Sequence, residues 1–81
     1  AAAHHGNTLR AQAAYEEAIA LKPDHPPLRV LYAGFLLRYL DDGATAERHL
    51  LRAKEIDPSE ISITTELARA IMYQARYDDA I

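Results

Sequence analysis

The feature that most constrains the fold is a pattern that recurs at intervals of 34 or 35 residues. Ala11, Ala46 and Ala80 stand 35 and 34 residues apart, each in similar sequence surroundings. The 35-residue interval also relates four further pairs, namely Tyr15 with Leu50, Ala18 with Ala53, Leu21 with Ile56, and Pro23 with Pro58. A fixed period of this length indicates one supersecondary unit used repeatedly, so the chain is predicted to form an array of stacked units.

Apolar residues at helical spacing predict four main helices and no strand. Residues three and four positions apart form apolar stripes over 8–22, 28–40, 44–56 and 60–74. Pro26 and Pro27 fall in the first turn of the second helix, where a missing amide is harmless. Ser59 is predicted to cap the fourth helix. The β-branched segment Ile61–Thr65 favours a strand locally, but the repeat register places it at the start of a helix.

Short turns between the helices predict antiparallel helix hairpins. We expect Gly6 and Asn7 to turn the chain before the first helix, and Ala75–Tyr77 to turn it before another helix over Asp78–Ile81. The predicted fold class is therefore all-α, an α-helical repeat that forms a solenoid or superhelix of antiparallel hairpins. The predicted divisions of this single array, an excerpt of a longer one, are an incomplete first repeat over 1–25, a complete second repeat over 27–60 and an incomplete third repeat over 61–81.

The repeated residues resemble those of the tetratricopeptide repeat family. The resemblance rests on Ala33-Gly34 and Leu67-Ala68 in the first helices of two hairpins, and on the Ala, Tyr or Leu, Ala and Pro of the second helices. It covers the whole chain and is fullest over 67–81. The resemblance implies a right-handed superhelix whose first helices line a concave groove that binds extended or helical peptides.

Small residues are predicted to mark the points where helices cross closely. Gly34 and Ala68 occupy equivalent places on the first helices, and the recurring alanines occupy them on the second. Glycine inside a helix costs about 1 kcal/mol relative to alanine, so close packing is expected at Gly34. Leucine at this position is expected to unfold the array by overpacking. Gly43 stands where Tyr77 supplies the family's usual aromatic, which predicts looser packing around Asp41–Ala44.

Composition argues against several classes of partner. The chain has 9 Lys and Arg against 12 Asp and Glu, a formal net charge of -3. Nucleic-acid surfaces normally cluster Lys and Arg, so no nucleic-acid partner is predicted. The chain has no Cys, which removes disulfides, thiolate chemistry and Cys-based zinc sites. No segment approaches the roughly 18 apolar residues that span a bilayer, so no membrane insertion is predicted.

The polar residues form no catalytic constellation, so the chain is predicted to be neither an enzyme nor a cofactor-binding protein. Ser59 and Ser62 lack the sequence of a hydrolase elbow, and no glycine-rich phosphate loop is present. Adjacent acidic residues such as Glu16 and Glu17 point about 100° apart on a helix, so they do not face one substrate. The four histidines lack ligand spacing, and no metal site is predicted.

The second predicted helix carries two stripes, whereas a surface helix needs only one apolar face. The stripe assigned to the core is Val30, Ala33, Gly34, Leu37 and Leu40. The other stripe is Leu31, Tyr32, Phe35, Arg38 and Tyr39. Tyr and Arg are enriched at binding hot spots, although Leu31 and Phe35 have the alternative of packing under the neighbouring hairpin. With their repeat equivalents, the predicted partner-binding residues of the concave groove are Tyr32, Phe35, Arg38, Tyr39, Arg69, Met72 and Tyr73.

These residues predict a non-catalytic protein-protein interaction scaffold that binds a peptide or helix of a partner. The rings and arginines suit a peptide with apolar anchors and acidic or carbonyl groups. Family members that clamp chaperone C-termini use Lys and Asn at groove positions occupied here by Leu31, Tyr32, Phe35, Ser62 and Glu66, so chaperone-tail binding is not expected. One alternative is a structural segment that self-associates through exposed array ends. The other is an RNA-binding helical repeat, which the acidic balance disfavours.

Overall fold

The computed structural model describes residues 2–78 and the side chains of residues 6–76. Its elements are α1 (Ala2–Leu21), α2 (Pro26–Phe35), a π-helical segment (Leu36–Leu40), α3 (Gly43–Ile56) and α4 (Ile61–Asp78). Residues 2–78 contain no strand, which confirms the predicted all-α helical repeat. Within that range, no helix is long and apolar enough to cross a membrane.

The starts of α2 and α3 follow the expected helix-capping chemistry. Pro26 and Pro27 open α2, where their missing amides leave no hydrogen bond unmade, as predicted. At α3, the Thr45 amide donates to Oδ1 of Asp42 at 3.1 Å, so the Asp42 side chain caps the helix. Both helix starts are therefore fixed by the residues at the hairpin turns.

The predicted capping role of Ser59 at α4 is wrong. Oγ of Ser59 donates instead to Oδ1 of Asp57 at 3.4 Å. The amide of Ser62 donates to Oε1 of Glu60 at 3.3 Å. Because α4 begins at Ile61, Glu60 is the residue that precedes the helix, and its carboxylate satisfies an amide of the first turn.

Two predicted turns are helical. Gly6 and Asn7 lie inside α1, and Ala75–Tyr77 lies inside α4. A Cβ built on Gly6 would meet nothing within 4 Å, so no packing forces the chain out of the helix there. One glycine costs a helix only about 1 kcal/mol, which is compatible with a continuous α1. Asp78 ends α4, and the rest of the helix predicted over Asp78–Ile81 lies outside the described residues.

Helix α3 packs between α2 and α4 through a face of small residues. The buried residues of this face are Gly43, Ala46, Leu50 and Ala53. Ala33 of α2 and Ala70 of α4 are equally buried, and such small side chains allow close approach of the helix backbones. Hydrogen bonds from Lys54 to Thr64 and from Gln74 to Glu47 show that α3 and α4 are antiparallel. Arg29 of α2 contacts His49 of α3, and Asp24 just before α2 contacts Arg52 further along α3, so α2 and α3 are antiparallel as well. Helices α2 and α4 consequently lie on α3 in the same direction.

The two glycines of the hairpins have the opposite roles from those predicted. A Cβ built on Gly34 would meet nothing within 4 Å, and Ala68 is exposed, so close packing at this pair is wrong. A Cβ on Gly43 would lie 2.7 Å from Cγ of Gln74 and 3.2 Å from Cδ1 of Tyr73. The prediction of loose packing around Asp41–Ala44 is also wrong, because α4 closes tightly on Gly43.

Helix α1 attaches to the array through a cluster of rings. The ring of Tyr32 lies 5.4 Å from that of Tyr15 on α1 and 5.0 Å from that of His49 on α3. The Tyr32 hydroxyl donates to Oε2 of Glu16 at 2.8 Å. Nη1 of Arg29 lies 3.0 Å from Nδ1 of His49, and because guanidinium only donates, this ring nitrogen accepts. The cluster therefore joins α1, α2 and α3.

The core-facing side of α2 differs from the predicted stripe. Tyr32, Ala33, Leu36 and Leu37 are buried, whereas Gly34 is not fully enclosed. The buried set is displaced by about one residue because α2 packs against α1 as well as α3. In addition, the π-helical segment that begins at Leu36 has a wider turn than an α-helix, so α-helical spacing does not predict its buried residues.

We predict that alanine substitutions at the two glycines have opposite effects on stability. Gly34→Ala is expected to raise the free energy of unfolding by about 0.5 to 1 kcal/mol, because alanine favours the helix and meets no neighbour. Gly43→Ala is expected to lower it by about 1 to 3 kcal/mol through overpacking against Gln74. Urea unfolding followed by circular dichroism measures both, each variant serving as the other's control. A loss of stability in Gly34→Ala would contradict the open space beside Gly34.

We also predict that stability falls on acidification because of His49. Burial, and then the charges of Arg29 and Arg48, lower the pKa of His49 from its usual 6.5. Below pH 6.5 the folded chain thus binds fewer protons than the unfolded chain, so this contribution to the free energy of unfolding is fully present above pH 6.5 and is lost as the pH falls from there through the lower pKa of the folded state. Urea unfolding between pH 7.5 and 5 should show the decrease.

The matched variants for this prediction are His49→Gln and His25→Gln. His49→Gln should show a smaller decrease in stability over the same pH range, since glutamine offers an acceptor to Arg29 without titrating. His25 is exposed, so His25→Gln should behave as the wild-type chain does. Equal pH dependence in the wild type and His49→Gln would refute the assignment to His49.

Candidate functional site

A groove runs between α2 and α4 and extends along the π-helical segment. Its main cavity has a volume of about 640 Å³. Its lining residues are Tyr15 of α1, Val30, Leu31, Gly34 and Phe35 of α2, Leu37, Arg38 and Tyr39 of the π-helical segment, and Glu66, Arg69 and Tyr73 of α4. Because α2 and α4 both pack on α3, the groove lies on the side of these helices that faces away from it.

Three rings form one wall of this cavity. Phe35 lies between Tyr15, whose ring centroid is 5.2 Å away, and Tyr39, at 5.4 Å. Such tilted ring contacts are favourable and hold the side chains in defined positions. Tyr39 is nevertheless 59% exposed. The wall is therefore an ordered aromatic surface with an accessible outer ring.

The π-helical segment positions Arg38 and Tyr39 at the groove. It ends at Asp41, whose φ of 52° is left-handed and reverses the chain towards α3. The hydroxyl of Tyr73 on α4 donates to Oδ1 of Asp41 at 2.5 Å. This bond ties the end of the π-helical segment to α4. Short π-helical segments are rare and occur frequently at functional sites.

The main cavity of the groove carries more positive than negative charge. Arg38 is exposed and makes no ion pair with any residue that the structure describes. Nη1 of Arg69 lies 3.5 Å from Oε2 of Glu66, and the Arg69 side chain remains 62% exposed. Oε1 of Glu66 is buried and lacks a hydrogen-bond partner among the described residues. Exposed ion pairs contribute little stability, so both guanidinium groups remain able to interact with other groups.

Two smaller cavities continue the groove at its ends. One, of about 560 Å³, is lined by Arg69, Met72, Tyr73, Ala75 and Arg76 of α4. The other, of about 310 Å³, is lined by Pro26, Pro27, Val30, Leu31, Asp57, Glu60, Ser62 and Ile63. The first shares Arg69 and Tyr73 with the main cavity, and the second shares Val30 and Leu31. The three cavities therefore adjoin one another, the first smaller cavity along α4 alone and the second between the starts of α2 and α4.

The structure brings six of the seven predicted binding residues to this surface. Those six are Phe35, Arg38, Tyr39, Arg69, Met72 and Tyr73. Tyr32 does not line it, and its predicted place in the groove is wrong because its side chain is only 1% exposed. Tyr32 instead contacts α1 and α3. Burial raises the pKa of its phenol, and the Glu16 carboxylate adds to this rise, so the hydroxyl stays protonated as a donor.

Sequence reasoning missed several groove residues. Leu31 had the alternative of packing under a neighbouring hairpin, but it is 59% exposed. Gly34 was assigned to a helix crossing. Asp57 was predicted to lie in the turn after the third helix and Glu60 at the start of the fourth, and neither was predicted to line the groove. The place of Asp57 and Glu60 in the groove could have been predicted, because the 35-residue register brings the loop before α4 beside the first turn of α2.

Comparison with known families gives one match. A family model described as tetratricopeptide repeat matches residues 2–62, which is more than half of the chain. The matched residues include α1, α2, the π-helical segment and α3. The comparisons with curated proteins and with solved structures each returned no match. Among the described residues, no group of three or more His, Cys, Asp or Glu side chains could hold a metal ion.

We predict that Tyr32 and Tyr39 differ sharply in their effect on stability. Tyr32→Ala is expected to lower the free energy of unfolding by about 3 to 5 kcal/mol, as for other large-to-small changes of buried aromatic residues. Tyr39→Ala is expected to change it by less than about 1 kcal/mol, because most of this side chain is accessible. Urea unfolding of both variants provides the comparison. Similar losses in the two variants would contradict the distinction between a core tyrosine and a groove tyrosine.

Proposed function

The chain belongs to the tetratricopeptide repeat family, and on that premise we propose that it binds a peptide or helix of a protein partner in the groove between α2 and α4. Members of this family generally mediate protein-protein interactions and are typically non-catalytic scaffolds. The proposed role is likewise a non-catalytic scaffold. The observation that carries it is the exposed ring of Tyr39 beside Arg38, at one end of a groove that the two parallel helices form.

Exposed apolar side chains along the groove support this proposal. Leu31, Tyr39 and Met72 are each more than half exposed, and all three line connected cavities. Contiguous exposed apolar surface of this kind marks interaction sites in soluble proteins. Tyr and Arg are also the residue types that dominate binding energy at interfaces. A partner segment that covers these side chains would remove their apolar surface from water.

The arrangement of the groove also supports binding with little ordering cost. Phe35 is held between two rings, and Tyr73 is held by its hydrogen bond to Asp41. Groups that are already fixed lose little side-chain entropy on association, so more of the contact energy appears as affinity. The partner segment would then bear most of the entropy loss. The same geometry gives no Lys for a clamp on a peptide C-terminus, and we do not expect chaperone tails to bind.

Self-association is a second candidate, favoured by the exposed apolar residues of α4. Ile61, Ile71 and Met72 are all exposed on this last described helix. A second copy that packs along α4 would cover them. Sedimentation velocity over a range of protein concentrations tests this role. A concentration-dependent dimer that Ile71→Glu abolishes would support it, and a monomer at all concentrations would rule it out.

We predict that Tyr39→Ala weakens peptide binding without unfolding the chain. The probe is a linear peptide selected from a random phage-displayed library on the immobilised chain, with affinity measured by calorimetry. Tyr39→Ala is expected to cost about 1 to 2 kcal/mol of binding free energy, the range of an interface hot spot. The control is Leu51→Ala on α3, which removes a 45% exposed apolar side chain outside the three cavities.

The pattern of losses in these two variants decides the location of the site. A selected peptide that binds Tyr39→Ala as tightly as the wild type would contradict the proposed groove. If the loss of affinity in Tyr39→Ala is matched by a comparable loss of thermal stability, measured as the melting temperature, Tyr39 is instead a structural residue. An unchanged Leu51→Ala variant is required in either case, since its loss of binding would place the site on α3.

A further inference from the structure

We infer that the groove has oppositely charged ends and selects an extended partner segment whose own charges are segregated. The segment would carry apolar residues at its centre, an acidic end beside Arg38 and a basic end beside Glu60. This inference rests on the proposed function, since it names the chemistry of the partner at the same site. It is carried by the distribution of charge along the three connected cavities.

Three arginines line the main cavity or the cavity that continues it along α4. Arg38 lies on the π-helical segment and Arg76 in the last turn of α4, whereas Arg69 lies midway along α4. The only carboxylate among the residues that line these two cavities is Glu66, which is already paired with Arg69. The carboxylate of Asp41 lies beside the Arg38 end of the groove as well, where it accepts from Tyr73. Three arginines against two carboxylates leave this end of the groove positive, although the chain as a whole carries a net charge of -3.

The carboxylates collect at the opposite end, where α2 and α4 begin. Asp57 and Glu60 line the third cavity, and no Lys, Arg or His is among its lining residues. Both side chains accept one hydrogen bond from a neutral group, Ser59 in one case and the Ser62 amide in the other. Neither hydrogen bond neutralises the negative charge. This end of the groove is therefore suited to a basic group of the partner.

The centre of the groove is apolar and open to a close backbone approach. Leu31 and Val30 join the main cavity to the third cavity. Gly34 lies one turn further along α2, and a Cβ there would have nothing within 4 Å. A partner backbone can therefore come nearer to α2 at Gly34 than at any residue with a side chain. Apolar side chains of the partner would then rest on Leu31.

The dimensions of the groove fit a short extended segment. Pro27 on α2 and Arg38 on the π-helical segment mark its two ends and are eleven residues apart, or about 17 Å at a helical rise of about 1.5 Å per residue. An extended peptide advances about 3.3 Å per residue, so about five residues span this distance. Opposite charges at the two ends of such a segment can reach both ends of the groove together.

Helix dipoles favour the same placement of charge, because acids stabilise helix N-termini and bases stabilise C-termini. This explanation concerns only the stability of the folded chain. The helix-dipole explanation predicts that neutralising Arg38 or Glu60 changes the free energy of unfolding. It predicts no difference in affinity between peptides that differ only in the order of their charges. Stability and peptide selectivity are therefore measured in the same variants.

The test compares three peptides of identical composition with the full chain. The first has the sequence acetyl-Glu-Glu-Leu-Phe-Leu-Lys-Lys-amide, the second is its reverse, and the third alternates the charges around the same apolar centre. Titrations followed by amide NMR shifts give the affinities. One of the two segregated peptides is expected to bind about two- to fivefold more tightly than the alternating peptide for each charged end that contributes. Added salt should reduce this preference.

Neutral variants and spin labels then locate each end of the peptide. Arg38→Gln should remove the contribution of the acidic end. Asp57→Asn with Glu60→Gln, which keeps acceptors for Ser59 and Ser62, should remove that of the basic end. Arg10→Gln on α1 is the control outside the cavities. A nitroxide on the acidic end should broaden the amide signals of Arg38 and Tyr39, and a nitroxide on the basic end should broaden those of 57–62.

The outcomes separate this inference from the proposed function. Equal affinities for all three peptides, or the opposite broadening pattern, would overturn the segregated-charge inference. The proposed function would still stand if a phage-selected peptide bound in the groove. Failure of the selected peptide as well would overturn both. Displacement of the peptides by a single-stranded uridine oligonucleotide, or by dimerisation that Leu31→Glu abolishes, would assign the groove to another occupant and overturn the inference.

Discussion

The described structure depends on the buried face of α3, on which a glycine and two alanines beside Leu50 allow helices to approach from both sides. Ala46 and Ala53 have no exposed surface, and Ala33 and Ala70 meet this face from α2 and α4. Gly43 extends it to the first turn, where even a methyl group would overlap Gln74. Protein interiors are close-packed, so a larger side chain on this face would displace a whole helix. The position of α3 thereby fixes the separation of α2 and α4.

The candidate site follows from that separation. Because α2 and α4 share one packing partner and one direction, like ends of the two helices lie together. Cationic side chains near both C-termini and carboxylates near the start of α4 therefore collect at opposite ends of one groove. The π-helical segment adds an exposed ring and an arginine where α2 ends. The groove thus owes its shape to α3 and its chemistry to the two helices that border it.

The sequence was sufficient for the helical repeat and for most of the groove residues, and it failed where helix rotation decides the outcome. The 34- or 35-residue period located α2, α3 and the start of α4, since periodicity reports which residues share a helix face. It did not distinguish Tyr32 from Tyr39, because both belong to one stripe and what separates them is the packing of Tyr32 against α1 and α3. Nor did it distinguish Gly34 from Gly43, since residue size alone does not show where two backbones meet. The continuity of α1 through Gly6 was missed because a weak local preference gave way to helix hydrogen bonding.

The ring cluster around Tyr32 has a consequence for motion. Helix α1 packs against α2 far less extensively than α3 does, and the described contacts that hold it centre on Tyr15 and Glu16. In arrays that are stabilised by neighbours, an element with few contacts opens at a lower free energy than the centre of the array. Tyr15 is also part of the groove wall, so one side of the groove belongs to the most weakly held helix. The parts of the groove on α2 and α4 are therefore held firmly by α3, whereas the part on α1 moves more easily. The α1 side can adjust to partner side chains of different size without disturbing the fold.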